Sequence, residues 1–116
     1  QEGMEYRLNR NDHHRAIEFF TKAIELDSKY AEAYECRGMS YGSSQIQDYD
    51  KALIDYNKAI ELDPNNKEFY FGRALIYYYK KNCYKTWLDI YKAQRLGFVV
   101  PPTFMRELDN TCRGSQ

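Results

Sequence analysis

Apolar and small residues recur along this chain with the spacing of packed helices. Tyr34, Gly38 and Tyr41 fall on one face of a first helix, and Tyr49, Ala52, Leu53, Tyr56, Ala59 and Ile60 on one face of a second. Steps of three and four put side chains on a common face of a helix with 3.6 residues per turn. Between the two runs lies Gly42-Ser43-Ser44-Gln45-Ile46-Gln47, a cluster that predicts a loop. Asp63-Pro64-Asn65-Asn66 closes the second helix. The residue before a proline is pushed out of helical geometry, and proline cannot continue the preceding helix. Asn65 or Asn66 can then cap the next helix, as Asp12 can cap one beginning beside His13.

The pattern repeats. KAIELD stands at Lys22–Asp27 and again at Lys58–Asp63, 36 residues on. Tyr34, Arg37, Gly38 and Tyr41 recur by the same step as Tyr70, Arg73, Ala74 and Tyr77, whereas Ala52, Ala59 and Leu62 recur as Thr86, Ala93 and Leu96 by a step of 34. The difference places two additional residues between Tyr41 and Ala52. Ala16, Ala23 and Leu26 precede Ala52, Ala59 and Leu62 by 36, and Gly3 and Tyr6 take the Gly38 and Tyr41 places in an incomplete first unit. A period in this range marks stacked helical units, none of which buries its apolar face alone.

The fold expected is therefore all-α: an α-solenoid of stacked antiparallel helix pairs closed by a C-terminal capping helix. Residues 1–116 form one domain, with a partial repeat at 1–30, repeats at 31–66 and 67–98, and the capping helix at about 102–112. Gly97 ends the last paired helix, as glycine commonly does. Phe98-Val99-Val100 reads as extended before Pro101-Pro102, and Phe104, Met105 and Leu108 then resume helical spacing. This helix is predicted to pack on Trp87, Ile90 and Tyr91. At the other end Ile17, Phe19, Phe20 and Ile24 are expected to stay partly uncovered, a face that favours self-association. The chain enters inside the first helix of its first unit, which implies further upstream sequence or a processed product.

These landmarks resemble the tetratricopeptide repeat, a helix-turn-helix unit of 34 residues with aromatic, small and proline positions. Tyr34-x-x-Arg37-Gly38-x-x-Tyr41, followed by Tyr49, Ala52, Tyr56, Ala59 and Asp63-Pro64, matches that pattern nearly throughout the middle unit. The third unit departs from it: Thr86 replaces the small alanine, and no proline closes the unit at Phe98. The resemblance covers roughly residues 3–98. It implies a right-handed superhelix in which the first helix of each unit lines a concave, ligand-facing surface. Carried over position by position, that surface comprises Glu32, Glu35, Met39 and Gly42 in the middle unit and Glu68, Phe71, Leu75, Tyr78 and Tyr79 in the third. Met4 and Arg7 are the nearest equivalents in the first.

Some relatives grip a terminal carboxylate with lysine, arginine and asparagine at these places. Here the same places hold glutamate, methionine and aromatics, so a charge-assisted grip on a carboxylate is not expected. The resemblance implies a protein–protein interaction module, a scaffold or adaptor. Its groove would have an apolar floor from Met39, Phe71, Leu75 and Tyr78 and an acidic border from Glu32, Glu35 and Glu68. The partner implied is a peptide or helix with apolar anchors and some basic residues. The competing reading of Phe71 and Leu75 is that they pack on the preceding unit. Two other functions stay open: a regulatory or targeting segment of a larger, even enzymatic, protein, and a self-association module.

Composition narrows the classes further. Net charge is zero with 17 basic and 17 acidic residues, and there is no basic stripe of the kind nucleic-acid binders carry. No apolar run reaches the length of a membrane span. Aromatics are abundant, with 12 tyrosines and 6 phenylalanines, more than helix packing alone requires. Three cysteines, Cys36, Cys83 and Cys112, are an odd number without paired spacing. Read as free thiols, they fit a reducing compartment better than an oxidising one. That points to the cytoplasm, and leaves an exported product with a removed leader open.

No chemistry-bearing motif emerges. His13 and His14 are the only histidines, and adjacent helical residues diverge by about 100°, whereas a zinc site needs three or four convergent ligands. No phosphate-binding loop, nucleophile elbow or paired-cysteine zinc motif is present. The expectation is a non-enzyme without cofactor or metal.

Overall fold

The computed structural model describes residues 12–112. Among these are six helices: α1 (His13–Leu26), α2 (Ala31–Tyr41), α3 (Tyr49–Leu62), α4 (Lys67–Tyr79), α5 (Cys83–Arg95) and α6 (Pro102–Thr111). Consecutive helices pack on one another from α1 through α5, giving the all-α stacked array that the periodicity predicts. Gly3, Met4, Tyr6 and Arg7 lie outside the described residues.

Local chemistry sets the helix starts. The side chains of Asp12, Asp48 and Asn82 accept the backbone N–H three residues on, and Asn66 accepts that of Glu68. Each satisfies a donor that the first helical turn leaves unpaired. The loop before α3 turns through Gln47 at φ 56°, and the α4–α5 turn through Lys81 at φ 65°. Both bring the chain back antiparallel, with Asp48 N–H bonded to the Tyr41 carbonyl and Asn82 N–H to that of Tyr77. The two additional residues are accommodated in the first of these turns. Gln45 there accepts the backbone N–H of His13, tying the loop to α1.

Small residues permit the stacking. Ala52, Ala59 and Ala74 are fully buried. Tyr56 on α3 is wedged between α2 and α4. A Cβ added at Gly72 would lie 2.4 Å from its Cε1, and one at Gly38 would lie 3.1 Å from its ring. Thr86, the departure from the small-residue pattern, is fully buried, and its hydroxyl donates to the Asn82 carbonyl one turn back. A β-branched residue is thus accepted without an orphaned polar atom.

One polar constellation occurs twice. Arg37 on α2 forks onto Asp55 of α3 through Nε and Nη2, both at 2.8 Å, and its Nη1 donates to Thr21 of α1. Arg73 on α4 forks onto Asp89 of α5 at the same distances and donates to Asn57 of α3. Each guanidinium lies between two rings, Tyr34 and Tyr41 or Tyr70 and Tyr77, at 5.7–5.9 Å. The aspartates are almost wholly buried. Hydrogen bonding to the aspartate, the largest influence, raises each arginine above its ordinary pKa against the opposing effect of burial. The Tyr34 and Tyr70 hydroxyls donate to the Ser28 and Pro64 carbonyls in the turns below.

The C-terminal segment corrects the reading of the cysteines. Cys83 opens α5, Cys112 follows α6, and the two are joined in a disulfide across 29 residues with Cα atoms 5.6 Å apart. Spacing along the chain hid the pair because the Phe98–Pro101 reversal, entered through Gly97 at φ 101°, folds α6 back beside the start of α5. Only Cys36 is free, so the inference of a reducing compartment from unpaired thiols loses its basis. Closing a loop of this length restricts the unfolded chain by about 3.5 kcal/mol. Leu108 and Cys112 join Trp87, Ile90, Ala74 and Val100 in one buried cluster.

Truncating one partner of a buried ion pair strands the other. Asp55→Ala or Asp89→Ala is expected to lower unfolding stability by about 3–5 kcal/mol. Lys51→Ala, which breaks an exposed pair with Asp48, should cost under about 1 kcal/mol; urea titration of helicity measures both. Gly72→Ala should destabilise the stack by forcing Tyr56 aside, and Tyr56→Leu in the same chain should recover part of that loss.

Candidate functional site

The first helices of the second and third units, α2 and α4, carry the expected ligand-facing residues. Each is short and preceded by a tight turn. The wedge of Tyr56 between Gly38 and Gly72 sets how closely the two helices approach. Glu32, Met39, Glu68 and Tyr79 are exposed, and Glu35, Phe71, Leu75 and Tyr78 are half-buried. Gly42 is buried at the end of α2, where Ile76 fills the space a side chain would take.

Two groups emerge from the set. The first is acidic. Partial burial, and then the neighbouring charges of Glu68 and Glu32, raise the Glu35 carboxyl above its ordinary value, so α2 and α4 bring these three carboxylates within electrostatic reach. The Cys36 thiol beside them is likewise raised, by burial first and then by Glu35 and Glu32. Burial, reinforced by Glu35 among others, raises the Tyr56 phenol as well. Met39 stands exposed one turn beyond Glu35.

The second group is aromatic. Tyr49 and Tyr79 lie 5.8 Å apart, Tyr79 and Tyr78 6.1 Å, and Tyr78 and Phe104 5.4 Å. Phe104 meets Phe71 edge-on at 5.8 Å, and Phe71 stacks on Phe98 at 4.6 Å. Phe71 therefore turns toward the following segment rather than the preceding unit. The Tyr78 hydroxyl bonds Glu107 and Thr111 of α6. The C-terminal helix thus occupies the Phe71 and Tyr78 end of the surface and leaves the acidic end open.

A TPR repeat model matches residues 44–81, and a tetratricopeptide repeat model matches residues 1–30. The chain belongs to the tetratricopeptide repeat family. No curated protein matches it. Tetratricopeptide repeats are generally protein–protein interaction modules, typically non-catalytic. Among the described residues no group of three or more His, Cys, Asp or Glu side chains is placed to hold a metal ion, and no helix is long and apolar enough to cross a membrane.

Several contributors escaped the sequence reading. Asp55 and Asp89 are offset by 34, the same step as Ala52 and Thr86, and that register was the available signal. Tyr49, assigned to the core, is half-buried and meets Tyr79 in the aromatic row. In this tetratricopeptide array His13 sits at the start of α1 against α2. Its Nδ1 lies 3.1 Å from the Ser40 hydroxyl.

The raised carboxyl of Glu35 means that the folded state holds its proton more tightly than the unfolded chain does. Stability therefore falls as pH rises from the ordinary carboxylate range through the raised value. Glu35→Gln should be more stable than the parent at pH 7 and lose that advantage at pH 3, as read from urea midpoints across pH.

Proposed function

We propose that this chain is a scaffold or adaptor module that acts by binding rather than by catalysis. It takes a peptide or helical segment on the face formed by α2 and α4. The observation that carries this reading is the juxtaposition of Glu32, Glu35 and Glu68 beside exposed Met39, with exposed Tyr79 further along α4. Burial first, and then the charges of Glu68 and Glu32, raise the Glu35 carboxyl, and an incoming cation relieves that strain. Apolar side chains alongside supply contact area. The fitting partner carries lysine or arginine next to one or two apolar anchors. Leu75 belongs to the floor of this groove, with Phe71 and Tyr78 shared between it and α6. A nucleic acid or membrane surface, both anionic, does not suit this face. The same module would serve equally as the recruiting segment of a larger protein.

A second reading concerns α1. None of its residues is buried, and Phe19 is 67 % and Leu26 89 % exposed. This face suits a second copy of the chain, and a dimer in sedimentation that Phe19→Asp and Leu26→Asp dissociate would carry that reading.

Selection from a random peptide library on the immobilised chain should enrich basic residues flanking apolar ones. The double variant Glu35→Lys, Glu68→Lys should lose these peptides by tenfold or more, and raised salt should weaken them. Binding should strengthen as pH rises through the titration of Glu35, because the carboxylate is the attracting form. Equal retention of the same peptides by the charge-reversed variant would overturn the proposal.

A further inference from the structure

The attachment of α6 differs in kind from the rest of the stack. From α1 to α5 neighbouring helices approach closely along their backbones, whereas α6 does not. Its buried anchors are Leu108 and Cys112. Its other contacts include Phe104 and Met105 against the same cluster, Phe104 against Phe71 and Tyr78, and hydrogen bonds from Tyr78 to Glu107 and Thr111 that are open to solvent. Beneath it, in the same cluster, the buried indole N–H of Trp87 has no hydrogen-bond partner. A buried donor without an acceptor penalises the packed state, and opening to water relieves it.

The one covalent tie is the Cys83–Cys112 disulfide, between the first residue of α5 and the residue after α6. We infer that this disulfide is a redox latch: reduction frees α6 from the array and returns Phe71 and Tyr78 to the surface, while α1–α5 stay folded. The stack beneath does not depend on the latch, because both Arg–Asp forks and the Tyr56 wedge lie within α1–α5.

The reductant is a dithiol. Its thiolate attacks Cys83 Sγ, since Cys83 is partly accessible and Cys112 is 1 % exposed. A bond forms between the reductant sulfur and Cys83. The Sγ–Sγ bond breaks, and the electron pair leaves on Cys112 Sγ, which takes a proton. The second thiol of the reductant then displaces Cys83, which takes the second proton, and the reductant departs as a cyclic disulfide. Two electrons and two protons pass from reductant to protein. On the groove reading proposed above, and only there, the freed rings lengthen the apolar floor next to the acidic cluster.

The test uses the full chain and no binding partner, so its outcome is independent of the proposed groove. Trp87, the only tryptophan, reports from under α6. Dithiothreitol should raise the reactive thiols from one to three, increase acrylamide quenching of Trp87 at least threefold, and speed amide exchange across α6 at least tenfold. Exchange in α3–α5 should stay within twofold, and reoxidation should restore the slow exchange. Cys112→Ser should behave as the reduced chain does without added reductant. Three results would each overturn the latch: three reactive thiols in the air-oxidised chain, unchanged α6 protection after reduction, or loss of protection in α3–α5 together with α6.

Discussion

The fork of an arginine onto a buried aspartate, made once in each complete unit, is the constraint on which the stack depends. Helical propensity and apolar burial would let a helix pair slide by a turn with modest loss. A planar guanidinium facing a carboxylate through two parallel bonds tolerates no such slip. Arg37 and Arg73 each also reach back to the second helix of the unit before, so a single side chain fixes three helices. The flanking tyrosine rings keep water from the pair and accept the positive charge on their faces. Desolvating two charges is costly, and the full set of hydrogen bonds is what makes the pair tolerable there.

That constraint carries through to the surface. With the pairs fixed, Tyr56 fills the gap between α2 and α4, and Gly72 and Gly38 set the spacing: a Cβ would collide with the ring at Gly72 and press tightly on it at Gly38. The close approach of α2 and α4 in turn brings Glu35 toward Glu68. The electrostatics of the α2–α4 face are therefore a by-product of core packing: the same glycines that admit a tyrosine crowd the carboxylates outside. At the far end the aromatic row from Tyr49 to Phe98 continues the core chemistry outward until α6 covers it.

Much of the fold was legible because it repeats. Two copies of KAIELD and the offset tyrosines, glycine and alanine gave the helix pairs. The change of step from 36 to 34 located the inserted loop. The paired cysteines were not legible, since Cys83 and Cys112 meet only through a reversal that the repeat period does not describe. The role of Phe71 was half legible. Its position on the face of α4 followed from the register, but its partners Phe98 and Phe104 belong to a segment outside the repeat. Asp55 and Asp89 looked like ordinary polar positions on amphipathic helices, because a buried charge reads as a solvated one until its counter-ion is placed.

The first unit lacks this device: Phe19 stands at the place that Asp55 and Asp89 occupy in the units after it. The reaching-back bonds also differ, a hydroxyl acceptor at Thr21 and an amide acceptor at Asn57. The modules are consequently not interchangeable beads. Each seam has its own acceptor, so the pairing of one unit with the next is encoded in the polar interior as well as in the connectivity.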